Sequence, residues 1–313
     1  MKKRIITGLI LAVILIPSVL IPALLPVLEI LLMLMCIIAT VELLNMYDNE
    51  KKIPLAVKIL TIVLTMMLYF SIVNSFDICK KSLICEFLKS IKVYKIFEPT
   101  LILCATLIAL MTCLIFVPKF EASDLGKLFI AIIYVGVCVA AFTVLRFYGV
   151  RFVVYLLFIT VFTDIFALVF GLSIGKHKMA PNISPKKTWE GAIGGTSVAI
   201  IIGALFIFFY PELASSLHLG DKILFFDGVF DYSNFTLLGK ITCVLLLTLF
   251  LSICSQIGDL VASKLKRTYG IKDYSNIFPG HGGVLDRFDS TLFASAIFLL
   301  YIMIECNLFP IGA

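Results

Sequence analysis

Long runs of apolar residues, separated by short polar segments, make up most of the chain. A helix that crosses a hydrocarbon core of about 30 Å needs about 20 such residues. The run 5–46 is about twice that long and contains three prolines, so it predicts two helices joined by a turn near Pro22–Pro26. The whole pattern predicts an all-α bundle of about nine transmembrane helices. The other seven predicted spans are 55–73, 100–117, 127–145, 152–174, 192–210, 236–262 and 291–309.

The composition supports a polytopic membrane protein. Hydrophobic residues make up 61% of the chain and charged residues 15%, against about 25% charged in soluble domains. So few charged side chains cannot cover a water-facing surface, which excludes a soluble globular protein, a disordered chain and a secreted disulfide scaffold. The nine cysteines lie mostly within apolar runs and form no CxxC pair, so we interpret them as small buried apolar residues.

The distribution of Lys and Arg predicts the orientation of the bundle. If the N-terminus is cytoplasmic, sixteen of these cations lie inside and nine outside, with Lys58 left out because it falls within a span. This excess favours an N-in, C-out topology. It places two polar segments, 171–195 and 263–289, on the cytoplasmic side. The apolar run that begins at Ile5 is interpreted as a retained helix rather than a signal peptide.

The chain divides into two regions that differ in whether they contain the polar segments. Residues 1–150 predict N-terminal transmembrane helices with an interfacial segment at 74–98, and residues 151–313 predict a catalytic transmembrane region that holds both polar segments. Within 74–98, apolar residues recur at spacings of three and four with lysines between them: Ile84, Phe87, Leu88, Ile91 and Tyr94. This spacing is typical of a helix lying on the membrane surface. A solvated connector without functional meaning is the alternative.

The segment 263–289 predicts a site for phosphate and a divalent cation. The glycines on both sides of His281 let backbone amides approach an anion closely. Asp286 and Asp289 are three residues apart and would share one face of a starting helix, and paired carboxylates beside cations suit Mg²⁺ bridged to phosphate oxygens. A patch that binds anionic lipid headgroups is the alternative, which leaves the aspartates and glycines unexplained. The cations are Lys264, Lys266, Arg267, Lys272 and Arg287.

Asp259 and Asp164 are carboxylates that lie within predicted spans. Asp259 is about one turn from the cytoplasmic end of its helix, and Asp164 lies deeper, near the middle of the bilayer. An ionisable residue within a span is costly and is a candidate functional residue. Helix packing through hydrogen bonds is the alternative for both. Asp259 belongs to a polar stripe with helical spacing that consists of Ser252, Ser255, Gln256, Asp259 and Ser263.

The segment 171–195 predicts a second group of polar side chains. Pro181 and Pro185 favour an extended backbone there. The GxxxxGK[ST] pattern is absent, which excludes a P-loop, and one histidine without a second argues against a zinc site. The candidate ligand-binding residues are Lys176, Lys178, Ser184, Lys187, Thr188 and Glu190.

Two strings of residues carry a resemblance to a known family. One reads Ser263-x-Leu265-Lys266-Arg267, then Lys272-Asp273, then Pro279-x-His281-Gly282-Gly283-x-x-Asp286-Arg287-x-Asp289. The other reads Gly175-Lys176-His177-Lys178-x-x-Pro181-x-x-Ser184-Pro185-x-Lys187-Thr188-x-Glu190-Gly191. Together they resemble the motifs of the phosphatidate cytidylyltransferases, also called CDP-diacylglycerol synthases. The polytopic layout is similar over the whole chain, although residues 1–150 carry no such motif.

The resemblance implies a nucleotidyltransferase of phospholipid biosynthesis, which converts CTP and phosphatidic acid into CDP-diacylglycerol and pyrophosphate. It implies Mg²⁺ as cofactor, with a second cation as an option, held by Asp259, Asp286 and Asp289 with Asp164 as a further candidate. The implied catalytic residues are Lys266, Arg267, Lys272, His281 and Arg287. The implied substrate-binding residues are Lys176, Lys178, Ser184, Lys187, Thr188, Glu190, Ser263, Lys264, Gly282 and Gly283.

The expected partners are CTP, phosphatidic acid and the lipid bilayer, with no nucleic acid, and a homodimer stays open. The expected location is a bacterial plasma membrane, with the active site facing the cytoplasm. Two alternatives remain. One is a related CTP-dependent polyprenol or phytol kinase, and the other is an ion-coupled transporter with Asp164 and Asp259 as coupling carboxylates. The chain shows no paired repeat of the kind many transporters have.

The predicted topology can be tested by cysteine labelling. Asn182 and Asn276 are each replaced by cysteine in a chain stripped of its native cysteines. We expect an impermeant maleimide to label neither position in intact cells and both after the membrane is opened, because both segments are predicted to be cytoplasmic. Labelling of either position from outside intact cells would contradict the topology.

Overall fold

The computed structural model describes residues 11, 13–216, 225–226, 229, 236–278, 280 and 282–308. These residues are almost entirely helical. The helices are α1 Leu25–Tyr47, α2 Leu55–Ser75, α3 Leu83–Ser90, α4 Pro99–Phe116, α5 Ala122–Tyr148, α6 Val150–Ser173, α7 Trp189–Ser216, α8 Leu237–Thr268 and α9 Leu285–Leu308. The all-α fold predicted from the hydropathy pattern is therefore confirmed.

Eight helices in the described part of the chain are long and apolar enough to cross a membrane. They correspond to the predicted spans from the second onward, so the chain is an integral membrane protein. The first predicted span lies partly outside the described residues. Of that stretch, residues 13–20 are helical, and a short 3₁₀ helix at Pro22–Leu24 leads into α1 near the predicted proline turn.

The chain forms two compact units. The first consists of Met1–Val150 and Lys264–Leu292, and the second of Arg151–Ser263 and Phe293–Ala313. Helices α8 and α9 therefore contribute residues to both units.

In the first unit, α1, α2 and α5 surround an apolar core. The α5 residues Leu128, Ile132 and Val135 are fully buried. One buried polar pair in this unit joins two helices, since the Tyr69 hydroxyl of α2 lies 3.1 Å from the Thr143 hydroxyl of α5. This pairing is what a low-dielectric interior requires of a polar side chain.

The segment 74–98 also belongs to the first unit, and its helix is shorter than its apolar spacing predicted. It contains a 3₁₀ turn at Asp77–Cys79 and then α3, which has eight residues. Ile84 and Leu88 are buried in the protein, whereas Phe87, Ile91 and Tyr94 are exposed. Its location on the membrane surface stays a prediction.

In the second unit, glycines let α6 and α7 approach closely. A Cβ atom on Gly195 would lie 2.5 Å from the carbonyl oxygen of Thr163, and one on Gly191 would lie 2.5 Å from that of Ala167. No larger residue fits at either position without moving a helix. Such small-residue contacts are typical of helices that pack within a membrane.

The structure corrects the limits of both predicted polar segments. The first contains a β-hairpin that the sequence pattern did not predict, with β1 at Lys178–Ala180 antiparallel to β2 at Ser184–Thr188. In the second, residues 263–268 are the last turns of α8 rather than a loop. Helix α9 begins at Leu285, so Asp286 and Asp289 lie in its first turns, as their spacing predicted.

Candidate functional site

A polar cavity of about 280 Å³ lies in the second unit. Its charged lining side chains come from three elements: Asp164 from α6, Lys186 and Lys187 from β2, and Asp259 from α8. The other lining residues are Ala167, Leu168, Met179, Thr188, Ala192 and Gln256. The structure therefore brings together four of the predicted site residues, namely Asp164, Lys187, Thr188 and Asp259.

An ion pair connects two of these elements. Lys187 Nζ lies 2.6 Å from Asp259 Oδ2, and both side chains are about one-third exposed or less. The hydroxyl of Ser263, one helical turn further along α8, donates to Asp259 Oδ1 at 3.3 Å. Each oxygen of the Asp259 carboxylate thus has a donor, and the hairpin that carries Lys187 is held against α8.

The polar stripe on α8 joins three helices of the second unit. The Ser252 hydroxyl lies 2.8 Å from the hydroxyl of Thr163 on α6 and donates to that of Thr196 on α7 at 3.0 Å. Gln256 Nε2 donates to the same Thr196 oxygen at 2.9 Å. Ser252 and Gln256 therefore connect α8 to α6 and α7 through hydrogen bonds.

The start of α7 is fixed by side chains of the first predicted motif. Thr188 is buried and occupies the N-cap, where its hydroxyl accepts the backbone N–H of Gly191 at 3.1 Å. Glu190 lies 2.6 Å from Nδ1 of His177 and also accepts the backbone N–H of His177. The motif thus folds back on itself around the helix terminus.

In the first unit, Asp286 is surrounded by donors. Residues 269–284 connect α8 to α9, and we call them the signature loop. Asp286 Oδ1 accepts the Lys266 ammonium at 2.6 Å, and Oδ2 accepts the backbone N–H groups of Tyr274 at 2.7 Å and Gly283 at 2.9 Å. The side chain is 3% exposed. Its oxygens therefore anchor the signature loop to the end of α8.

Lys266 and Asp289 are also buried. The Lys266 ammonium lies 5.1 Å from the ring centre of Tyr274, which adds a cation–π contact to its ion pair. Burial, and then the negative charges of Asp289 and Asp286, raise the pKa of the Tyr274 phenol, so the phenol stays protonated. Asp289 Oδ1 accepts the backbone N–H of Ser290 at 2.8 Å.

One carboxylate at this site was not singled out from the sequence. Glu42 on α1 is buried and accepts hydrogen bonds from Ser275, Val284 and Leu285. The signal that could have found it is a carboxylate inside a long apolar run, because such residues are costly in a membrane.

The remaining predicted residues take several positions. Arg267 Nη1 donates to the carbonyl oxygen of Ile271 at 2.9 Å, which closes the C-terminal turn of α8. Gly282 has a φ of +81°, a conformation that favours glycine. His281 lies outside the described residues. Ser184 is half-buried at the start of β2, and the exposed residues are Lys176, Lys178, Lys264, Lys272 and Arg287.

The carboxylates can be compared with what Mg²⁺ requires. Within the described residues, no group of three or more His, Cys, Asp or Glu side chains could hold a metal ion. Mg²⁺ is commonly bound by one or two carboxylates together with substrate phosphates, and Asp164 and Asp259 on the wall of one cavity fit that mode. Asp286 already accepts three protein donors, so its role as a ligand, like that of Asp289, stays a prediction.

An apolar cleft of about 380 Å³ adjoins the polar cavity between α7 and α8. It shares Met179, Ala192 and Gln256 with the cavity lining. The rest of its lining is largely apolar and includes Trp189, Ile193, Ile200, Leu249, Ile253 and Ile257. A molecule with a charged headgroup and an apolar tail would match a polar cavity that adjoins an apolar cleft.

Comparisons with known proteins agree with the motif strings. A sequence profile described as "Cytidylyltransferase family" matches residues 2–305. A protein named phosphatidate cytidylyltransferase from Bacillus subtilis is 39% identical over 177 residues, 56% of this chain and 56% of that protein. Proteins of the same name from Staphylococcus haemolyticus and Staphylococcus aureus are 37% identical over 175 residues, 56% of this chain and 58% of each relative. The chain therefore matches little more than half the length of these relatives.

The N-cap at Thr188 leads to a prediction on stability. Thr188→Ala removes the acceptor for the Gly191 amide and should lower the free energy of unfolding by about 1 kcal/mol. Thr188→Ser keeps the hydroxyl and should retain most of it. The measurement is equilibrium unfolding in mixed micelles. Ser173→Ala is the control, because that exposed hydroxyl only donates within its own helix. Equal stability of the Thr188→Ala and Ser173→Ala variants would contradict the cap.

Proposed function

The chain belongs to the Cytidylyltransferase family, and on that premise we propose that it is a phosphatidate cytidylyltransferase. It transfers CMP from CTP to phosphatidic acid and releases CDP-diacylglycerol and pyrophosphate. One observation carries the proposal: two carboxylates from membrane-spanning helices and two lysines from the β-hairpin line one cavity. The names of the relatives from Bacillus and Staphylococcus support the choice of substrates.

The proposed reaction needs charge neutralisation more than a strong base. An oxygen of the phosphatidate headgroup attacks the α-phosphorus of CTP, and pyrophosphate leaves in line with it. The nucleophile is already an anion, so the main obstacle is repulsion between negative groups, which positioned cations relieve. We assign this role to Lys186 and Lys187 on the cavity wall. The exposed cations Lys264, Arg267, Lys272 and Arg287 are proposed partners for further phosphate oxygens.

We also propose Mg²⁺ as the cofactor, with a second cation as an option. Asp164 and Asp259, which line the cavity of the second unit, would hold it. Asp286 and Asp289 stay predicted ligands. When bound, Mg²⁺ would neutralise phosphate charge and orient the two phosphates. Ser263 would orient the Asp259 carboxylate through the hydrogen bond to Oδ1.

The proposed lipid substrate matches the two adjoining surfaces of the second unit. The phosphate headgroup would occupy the polar cavity, while one acyl chain would follow the apolar cleft between α7 and α8. The proposed location is a bacterial plasma membrane, since the curated relatives are bacterial. The active site would face the cytoplasm, where CTP is available. No nucleic-acid partner is proposed, and a homodimer stays an option.

Two other activities can be separated from this one with labelled CTP. A cytidylyltransferase should transfer label from [α-³²P]CTP into chloroform-extractable lipid when phosphatidic acid is supplied. A CTP-dependent lipid kinase would instead transfer label from [γ-³²P]CTP, and an ion-coupled transporter would transfer neither. The measurement uses the full-length protein in mixed micelles. Lipid labelled only by the γ-phosphate, or by neither, would contradict the proposal.

A second prediction concerns Asp259. Asp259→Asn removes a charge that the proposed reaction needs, and loss of a metal ligand commonly costs a few kcal/mol, so turnover should fall by a factor of about 100 or more. Thermal stability in detergent should hardly change, because the Lys187–Asp259 pair is partly exposed and such pairs contribute little.

Asp77→Asn is the matched control for this variant. Asp77 carries an exposed carboxylate whose ion pair with Lys80 lies outside the described cavities. It should keep normal turnover. An Asp259→Asn protein with near-normal turnover, or one that does not fold, would assign Asp259 to helix packing alone.

A further inference from the structure

Glu42 accepts two adjacent backbone N–H groups at the start of α9. Its Oε1 accepts Val284 N–H at 2.8 Å, and its Oε2 accepts Leu285 N–H at 2.9 Å. The Ser275 hydroxyl donates to Oε1 at 2.6 Å. The first N–H groups of a helix have no acceptor within the helix. Glu42 on α1 supplies acceptor oxygens for two of these groups at the start of α9.

The signature loop is shaped to admit this carboxylate. A Cβ atom on Gly283 would lie 2.3 Å from Glu42 Oε1 and 2.8 Å from the Ser275 hydroxyl. Glycine at this position is therefore a steric requirement of the Glu42 contact. Glu42 itself is 2% exposed, so water does not replace it as an acceptor for these amides.

Asp286 and Glu42 accept neighbouring amides where the signature loop leads into α9. Asp286 accepts those of Tyr274 and Gly283, while Glu42 accepts the next two, at Val284 and Leu285. The consecutive residues 283–285 are thus held by two carboxylates on different helices, Glu42 on α1 and Asp286 on α9. These contacts fix the residue at which the signature loop ends and α9 begins. They therefore fix the positions of Asp286 and Asp289 in the first turns of α9.

We propose that Glu42 is a positioning residue for the cytidylyl transfer. Its carboxylate holds the turn from the signature loop into α9 and so sets the positions of Asp286, Asp289 and Lys266. This inference rests on the proposed function. It differs from a stabilising role because a shifted register misplaces reacting groups even in a folded protein, and a misplacement of about 1 Å can cost about 100-fold in rate.

The test compares two buried glutamates on the same helix. Glu42→Gln replaces one acceptor oxygen with an NH₂ group, which meets backbone N–H groups that also donate. Glu29→Gln is the matched control, because Glu29 is 2% exposed on α1 and accepts the Leu83 amide at the start of α3. Both variants replace a buried carboxyl group that accepts amides at the start of a helix, but only Glu42 holds the signature loop.

We expect Glu42→Gln to lower kcat by about 100-fold, with the KM for CTP changed much less, and Glu29→Gln to keep kcat within about twofold. Glu42→Asp keeps the charge and should retain more turnover than Glu42→Gln. Hydrogen exchange should rise at residues 282–288 in Glu42→Gln and not in Glu29→Gln. Near-normal kcat in Glu42→Gln, or equal losses in both glutamine variants, would overturn the proposal.

Ser275→Ala decides the matter if Glu42→Gln does not fold. It removes one of the three donors to Glu42 and leaves both backbone amides in place. It should lower kcat by roughly threefold or more, as the loss of one hydrogen bond predicts, and unchanged kcat would overturn the proposal. Failure of the proposed function is distinct, since the wild-type protein would then form no labelled lipid while the exchange pattern still reported the Glu42 contacts.

Discussion

In a bilayer, a backbone or side-chain polar group without a partner costs several kcal/mol, because no water is present to replace the partner. This constraint accounts for where polar side chains occur within the spans. Glu29 and Glu42 on α1 each accept the first amides of another helix, α3 and α9. Thr163 and Ser252 bond to each other across two helices. These polar groups thus connect their helix to the element that supplies the partner.

The two charged clusters share one feature, a lysine paired with an aspartate. In the second unit Lys187 pairs with Asp259, and in the first unit Lys266 pairs with Asp286. A phosphate alone would compete with the aspartate for the lysine, and a cation alone would compete with the lysine for the aspartate. Under the proposed function, a nucleotide bound together with its cation would satisfy both partners at once, so that each charge would stay paired.

The sequence predicted the parts of the fold that depend on length and hydropathy. The spans follow from the thickness of the bilayer, and Asp286 and Asp289 share the first turns of α9 because their spacing matches a helix. Hydropathy did not predict that α8 continues to Thr268, because it reports where lipid ends rather than where hydrogen bonding ends. The strand Lys178–Ala180 is too short to show an alternating pattern.

The contacts of Glu42 could not be predicted for a different reason. Its partners Ser275, Val284 and Leu285 lie more than 230 residues later in the chain. No local pattern reports a pairing of that range, and the apolar neighbours of Glu42 resemble those of any other span. The Lys187–Asp259 pair likewise depends on how the hairpin packs against α8, which spacing alone does not specify.

The distance along the chain between Glu42 and its partners has a consequence for biosynthesis. Ribosomes add about 5–20 residues per second, so the 242 residues between Glu42 and Val284 correspond to a delay on the order of 10–50 s. During that interval α1 must enter the bilayer with a carboxylate whose eventual donors have not been synthesised. Until α9 is synthesised, the Glu42 carboxylate lacks the three donors that it has in the folded protein, so this part of the structure can form only after the last helix has been made.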